Sequence, residues 1–237
     1  MSDQLRLPFV RAPHFTDAGF LRAASNQSAL AWLARRDDWP DGRLVLWGPA
    51  SCGKTHLLQI WAAQNGTVQE GAALALPDAP PTRPVAIDDA DRAPERGLFH
   101  LLNAAAEAGL PVLLTARRPP ARWDTALPDL ASRLRAATAV EIRPAEDSLL
   151  RNLLASQLAE RQLRVDDAVQ DWLVARLERT PAAIRDAVDR LDAASLATSG
   201  RFTQRQAASV LHGLDNHCHP IVAQTAARAG ASDPGTN

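Results

Sequence analysis

Residues 47 to 57 read "WGPASCGKTHL" and hold the chain's only lysine, Lys54; every other cationic side chain among the 26 Lys and Arg is an arginine. Gly48, Gly53, Lys54 and Thr55 fit the spacing G-x-x-x-x-G-K-[ST]. That spacing suits a loop that wraps its backbone N–H groups round phosphate oxygens. Glycine lets the backbone come close, and the helix that follows aims its positive end at the same anion. Ser51 and Cys52 lie inside the wrap, so residues 48 and 51 to 55 form the candidate nucleotide-binding set. Lys54 would reach the β- and γ-phosphates as a compact point charge, whereas a planar guanidinium is bulkier and directs its donors differently. Lysine is therefore expected at this one position of an arginine-using chain. The Thr55 hydroxyl is a candidate Mg²⁺ ligand.

Three further groups fit the same chemistry. Asp88 and Asp89 end the apolar run "PVAIDDAD". An acidic pair at a strand end can hold Mg²⁺ through water with one carboxylate, Asp88, and orient the attacking water with the other. Thr115 ends another apolar run, in "VLLTARRPP", where its hydroxyl could bond a γ-phosphate or that water. Arg133 lies in "LPDLASRLRAATAVEI", close to Arg135 and downstream of "RRPPAR". An arginine in such an edge can be offered to the γ-phosphate of a neighbouring molecule; spacing alone weighs that role evenly against a solvated surface arginine. His217, Cys218 and His219 are adjacent in sequence, which makes a poor tetrahedral metal set. His56 is expected to pack or cap.

These residues need a scaffold, and the hydrophobic pattern supplies one. "RLVLWG", "PVAIDDAD", "LPVLLTA" and "TAVEI" read as short buried strands, and "TVQEGAALAL" as an ambiguous fifth. Helical spacing lies between them, in "NQSALAWLARR", "KTHLLQIWAAQ" and "LFHLLNAAAEAG". Asn26 or Ser28 stands near the start of the first helix, and Gly109 stops the last. Alternating strands and helices predict an α/β fold, a parallel sheet covered on both faces. After Pro144 only helical periods follow, at 147–163, 167–179, 181–198 and 203–212, with Pro181 at a first helical position. The expected organisation is an extended arm over 1–15, a nucleotide-binding α/β domain over 16–145, a small all-helical lid over 146–215 and a disordered tail over 216–237.

The 237 residues are 46% hydrophobic and 22% charged with a net charge of −1, which is a globular profile with no field to draw nucleic acid or anionic membrane. Sequence-specific DNA binding and membrane insertion are not expected. Cys52 and Cys218 suggest no disulfide framework, and "MSDQLRLPFV" does not read as a secretory signal. A reduced, cytoplasmic setting fits.

In order and spacing, "GPASCGKTHL", "VAIDDAD", "VLLTARRPP" and "LPDLASRL" resemble the motifs of the DnaA-related AAA+ proteins, over residues 17 to about 214. Within that family the chain resembles the Hda-type regulators more than the initiators, on two counts. No room is left after the lid for the helix-turn-helix domain of an initiator. And "QLRLPF" resembles the Q-L-x-L-x-F peptide that docks on the bacterial sliding clamp. The resemblance implies an AAA+ P-loop domain with ADP or ATP and Mg²⁺ as cofactors. It implies clamp contacts from Gln4, Leu5, Leu7, Pro8 and Phe9, with Gln4 at the pocket rim and Leu7 and Phe9 as anchors. It further implies DnaA as partner, with Arg133 acting in trans on DnaA-bound ATP and weak hydrolysis by the chain itself. The expected setting is the nucleoid or replisome, and a second copy of the chain is a further candidate partner. The family's lid arginine falls on Ala182; Arg185, one turn later, or Arg179, about one turn earlier, are the candidates to replace it. The alternative is a loader of the DnaA/DnaC type, which would need a basic channel with aromatic platforms. A small-molecule kinase would need a substrate lid within the sheet domain.

Overall fold

The structure, a computed structural model, describes residues 20–198 and 201–211. The arm with Gln4, Leu5, Leu7, Pro8 and Phe9, the tail over 216–237 and its His-Cys-His run lie outside the described residues.

Five strands form one parallel sheet in the order β2-β3-β4-β1-β5: β1 Arg43–Trp47, β2 Thr67–Glu70, β3 Val85–Asp88, β4 Val112–Ala116 and β5 Thr138–Glu141. The three central strands are β3, β4 and β1. They are the continuous apolar runs of the sequence because helices cover both of their faces. β1 turns Leu44 and Leu46 to one layer, with Leu57, Leu58 and Trp61 of α2 (Lys54–Asn65). It turns Val45 and Trp47 to the other, with α3 (Glu95–Glu107) and α4 (Pro128–Ala136). β2 is the ambiguous segment. All four of its side chains are exposed, so no burial pattern was written into it. Pairing with β3, Thr67 opposite Val85, makes it a strand.

The first helix is shorter than its spacing predicts, α1 over Gln27–Leu33. Asn26 does not cap it. Its side chain turns back instead, donating from Nδ2 to the Leu21 carbonyl at 2.9 Å and accepting from the Ala23 N–H at 3.0 Å. α3 ends on Ala108, and Gly109 takes the left-handed turn at φ 64° that glycine adopts without strain.

Beyond the sheet come α5 (Asp147–Glu160), α6 (Asp167–Arg176), α7 (Pro181–Thr198) and α8 (Gln204–Val210), with an apolar cluster of their own. This part is not wholly helical. Arg164–Val165 (β6) and Arg201–Phe202 (β7) pair in parallel. Two residues are too few to show a period of two, so neither strand was readable as one. Thr203 and Gln206 close a capping box at the start of α8. Residues 21 to 26 tie the two parts together. The Ser25 N–H donates to Glu146, Arg143 donates to the Ala24 carbonyl, and Leu21 packs against the helical cluster. Among the described residues no helix is long and apolar enough to cross a membrane.

Candidate functional site

In a parallel sheet the loops after the strands gather at one end, and the candidate residues lie there. β1 ends at Trp47 and the chain turns into the 48–53 loop, held by the Gly48 N–H on the Ala116 carbonyl at 3.2 Å and by the Ile142 N–H on the Trp47 carbonyl at 2.7 Å. Gly48 is required by the approach of β5's end, since a Cβ there would lie 2.2 Å from the Ile142 carbonyl oxygen. Gly53 stands at φ 101°, the left-handed region, and opens α2 with no side-chain cap. The first-turn N–H groups of α2 are therefore left to an outside acceptor, the arrangement that binds anions.

Lys54 is 94% buried, at 6% exposure. Its Nζ donates to the Gly48 carbonyl at 3.0 Å and to the Pro49 carbonyl at 2.7 Å, and lies 3.8 Å from the Cys52 Sγ. The ammonium thus sits inside the loop and spans it. Burial raises the pKa of the Cys52 thiol, and the Lys54 charge opposes the rise. Ser51 holds the loop's other left-handed residue, at φ 59°.

The acidic strand end meets the loop directly. Thr55 Oγ1 donates to Asp88 Oδ2 at 2.8 Å. Thr115 Oγ1 donates to Asp88 Oδ1 at 2.5 Å and accepts from the Asp89 N–H at 2.9 Å. Thr115 is fully buried, so its hydroxyl orients the acidic pair from below. Asp89 takes a left-handed backbone, at φ 48°, and its carboxylate stands 3.9 Å from Arg92. A hydroxyl and a carboxylate at contact distance beside an anion-accepting loop are a hard-oxygen donor set that fits Mg²⁺. We expect Thr115→Val, which keeps the shape and deletes both bonds, to lower stability by about 1–3 kcal/mol, read by denaturant unfolding. An unchanged unfolding midpoint would mean that Thr115 does not hold Asp88.

Other candidates fall elsewhere. Arg133 lies in the last turn of α4, whose end feeds the start of β5: the Ala137 N–H donates to the Arg133 carbonyl. That is the N-terminal end of the sheet, opposite to the 48–53 loop. Its guanidinium covers the Phe99 ring at 5.5 Å. Arg135, two residues on, is exposed. Among the described residues no hydrogen bond or ion pair joins Arg185 to the loop. Burial lowers its pKa, and Asp189 on the next turn opposes this. Arg179 is taken up by Asp147 at 2.9 Å, and Ala182 is exposed.

Sequence reasoning missed two neighbours of the site. Phe20 lies against the loop, its ring 5.2 Å from His56 edge-on and near the Cα of Gly53. Gly71 backs the acidic pair so closely that a Cβ would meet the Asp89 carbonyl oxygen at 2.3 Å. A lone Phe ahead of the first helix and a Gly after an exposed strand carry no motif.

No family model matches the chain. Solved structures do. Domain III of the Thermotoga maritima replication initiation protein DnaA superposes with a TM-score of 0.68 at 17% identity, over 84% of this chain and 96% of that one. AMPPCP-bound DnaA from Aquifex aeolicus gives 0.65 at 17% identity, over 78% and 67%. The Thermotoga maritima RuvB Holliday junction branch migration motor gives 0.60 at 18% identity, over 78% and 66%. The chain thus has the fold of these AAA+ domains, a parallel α/β sheet domain followed by a mostly helical part.

Proposed function

We propose that the chain is a nucleotide-dependent regulator of replication initiation of the Hda type. It binds ADP or ATP with Mg²⁺, docks on the sliding clamp and stimulates hydrolysis of DnaA-bound ATP. The observation that carries this reading is the separation of two chemistries. Lys54, Thr55, Asp88 and Thr115 converge at one end of the sheet, while Arg133 stands at the other, out of line with the chain's own loop. A phosphate cradle and an arginine so divided suit a protein that holds one nucleotide and acts on another's.

In this reading Gly48, Ser51, Cys52, Gly53 and Lys54 wrap the phosphates. Thr55 and Asp88 hold Mg²⁺, directly or through water, and Asp89 orients water. Mg²⁺, when bound, neutralises phosphate charge. The lid over 146–215 closes on the nucleotide, with Arg185 as the candidate lid contact. The arm over 1–15 carries the clamp peptide, and the setting is the cytoplasm near the replisome. The DnaA neighbour bound to AMPPCP and the DnaA structure described as bound to AMPPCP and single-stranded DNA support nucleotide binding by this fold.

The deciding experiment measures ATP hydrolysis by DnaA with and without this protein and clamp loaded on DNA. No stimulation would sink the regulatory reading and leave a nucleotide-binding protein of other purpose. A separate arm test follows. Leu7→Ala with Phe9→Ala is expected to abolish clamp binding in a pull-down, since both are apolar anchors. Thermal stability should be unchanged. Clamp binding equal to the parent would show that the peptide lies elsewhere.

A further inference from the structure

The sheet opens at the candidate site. β3 and β4 pair as far as Ile87 opposite Leu114, and among the described residues no backbone pair joins them beyond it. Asp88, Asp89 and Thr115 all lie past that point. β4 is still held on its other side, where Thr115 stands opposite Leu46 and Ala116 opposite Trp47 of β1. The end of β3 is tied to β4 by side chains instead. Thr115 supplies one tie, through Asp88 Oδ1 and the Asp89 N–H.

Asp91 supplies a second. Asp89 takes a left-handed backbone at φ 48°, a conformation that costs a residue with a side chain some strain. The short helical turn that follows, Ala90–Arg92, lies against β4. From it Asp91 Oδ2 accepts from the Arg117 N–H at 3.1 Å, two residues beyond Thr115. The other oxygen, Oδ1, is buried and has no hydrogen-bond partner. Among the described residues the bond to Arg117 is thus the one polar contact of this carboxylate.

A buried oxygen without a donor costs free energy of the same order as a bond to a charged group gains. Arg117 is exposed, so water could serve its N–H in the absence of Asp91. The contact therefore adds little to stability. Its effect is geometric: it fixes where the end of β3 stands against the end of β4.

We propose that Asp91 is a positioning residue for the acidic pair. Its carboxylate pins the turn after β3 to the exit of β4, so that Asp88 and the Thr55 hydroxyl, which donates to it, keep the mutual placement that a divalent cation needs. The inference rests on the reading of Thr55 and Asp88 as Mg²⁺ contacts. Asp91 itself touches neither cation nor nucleotide; it acts through Thr115 and Asp88.

The test uses the full chain. Binding of a fluorescent ADP analogue is titrated with Mg²⁺ and repeated in EDTA, and thermal unfolding is followed alongside. Asp91→Ala deletes the tie. It is expected to raise the Mg²⁺ concentration for half-maximal effect on affinity at least tenfold, about 1.4 kcal/mol. Affinity in EDTA should stay at the parent value, because the 48–53 loop and Lys54 are untouched. The thermal midpoint should stay close to the parent's, because losing the bond also removes the stranded oxygen. Asp91→Asn keeps a carbonyl oxygen for the same N–H and should need no more Mg²⁺ than the parent. Arg117→Pro deletes the donor from the other side and should reproduce the Asp91→Ala result.

A parent-like Mg²⁺ requirement in Asp91→Ala overturns the inference. So does a loss of affinity that is equal with Mg²⁺ and in EDTA, the mark of general damage to the site. An Asn variant as impaired as the Ala variant overturns it too, since the charge and not the bond would then be what counts. Should Asp91→Ala fail to fold, Arg117→Pro decides in its place; unfolding of both makes the tie purely structural and sinks the inference. If ADP binding by the parent ignores Mg²⁺, the metal reading of Thr55 and Asp88 fails first, visibly and before any variant is made, and Asp91 has nothing to position.

Discussion

Lys54→Ala is expected to weaken ADP binding at least tenfold, about 1.4 kcal/mol, in a titration with a fluorescent ADP analogue. The side chain is the only formal charge inside the phosphate loop, and it is nearly enclosed by it. Two effects set the size of the loss. A nucleotide gains a charge-assisted contact from Nζ, worth more than a neutral hydrogen bond. Against this, Nζ must first leave the Gly48 and Pro49 carbonyls, which it bonds at 3.0 and 2.7 Å. Pro49 is exposed, so water can replace the ammonium on its carbonyl; the Gly48 carbonyl is less easily served. Alanine should therefore cost more in binding than in folding. Lys54→Arg should rescue little, because a guanidinium cannot enter a space shaped by Gly48, Cys52 and the start of α2. Undiminished ADP affinity in the Ala variant would move the nucleotide site away from this loop.

The loop was legible because the chemistry proposed for it fixes both residue types and spacing: Gly48 and Gly53 for close backbone approach, and Lys54 and Thr55 as the proposed phosphate and metal contacts. The acidic strand end was legible for a similar reason. "VAI" must be apolar to lie in the middle of the sheet, and Asp88 must be polar to emerge from it. The structure then joins them through Thr55 and Thr115, a convergence that no linear spacing contains.

What the sequence did not show has equally physical causes. β2 carries no apolar face, being an edge strand with four exposed side chains. β6 and β7 exist only by pairing with each other across 36 residues of chain, Arg164 with Arg201. Asn26 looked like a helix cap because its type is right for one, yet its amide is used on Leu21 and Ala23 in the turn before. Arg43 carried no signal in the sequence, and only the structure shows it buried at the start of β1. Spacing likewise left Arg179 and Arg185 as equal candidates for the family's lid arginine. Arg179 and Arg185 both lie within a turn of Ala182, and only the structure shows Arg179 paired with Asp147.

Arg133→Ala is expected to retain nucleotide binding, clamp binding and fold, and to lose stimulation of DnaA's hydrolysis by roughly 10³-fold, about 4 kcal/mol, the scale of an arginine supplied to a γ-phosphate in trans. Its place in the molecule bears on this. The 48–53 loop follows β1, Asp88 ends β3 and Thr115 lies next to the end of β4, whereas Arg133 sits just before β5, at the opposite end of the sheet. The fold does not need it greatly. The side chain is half-buried and, among the described residues, makes no ion pair; its ring contact with Phe99 is worth roughly 0.5–1 kcal/mol where exposed. A loss of a thousandfold in stimulation against less than about 1 kcal/mol in stability would separate a functional arginine from a packing one. Arg133→Lys should recover part of the rate, since it keeps the charge but not the planar fork. Arg135 is the control, exposed and two residues on, where the helix has turned its side chain well away from that of Arg133. If Arg135→Ala loses stimulation and Arg133→Ala does not, the phosphate-facing arginine is Arg135, and the ring of Phe99 holds a bystander. If neither matters, hydrolysis on the partner is driven by something other than a guanidinium from this helix.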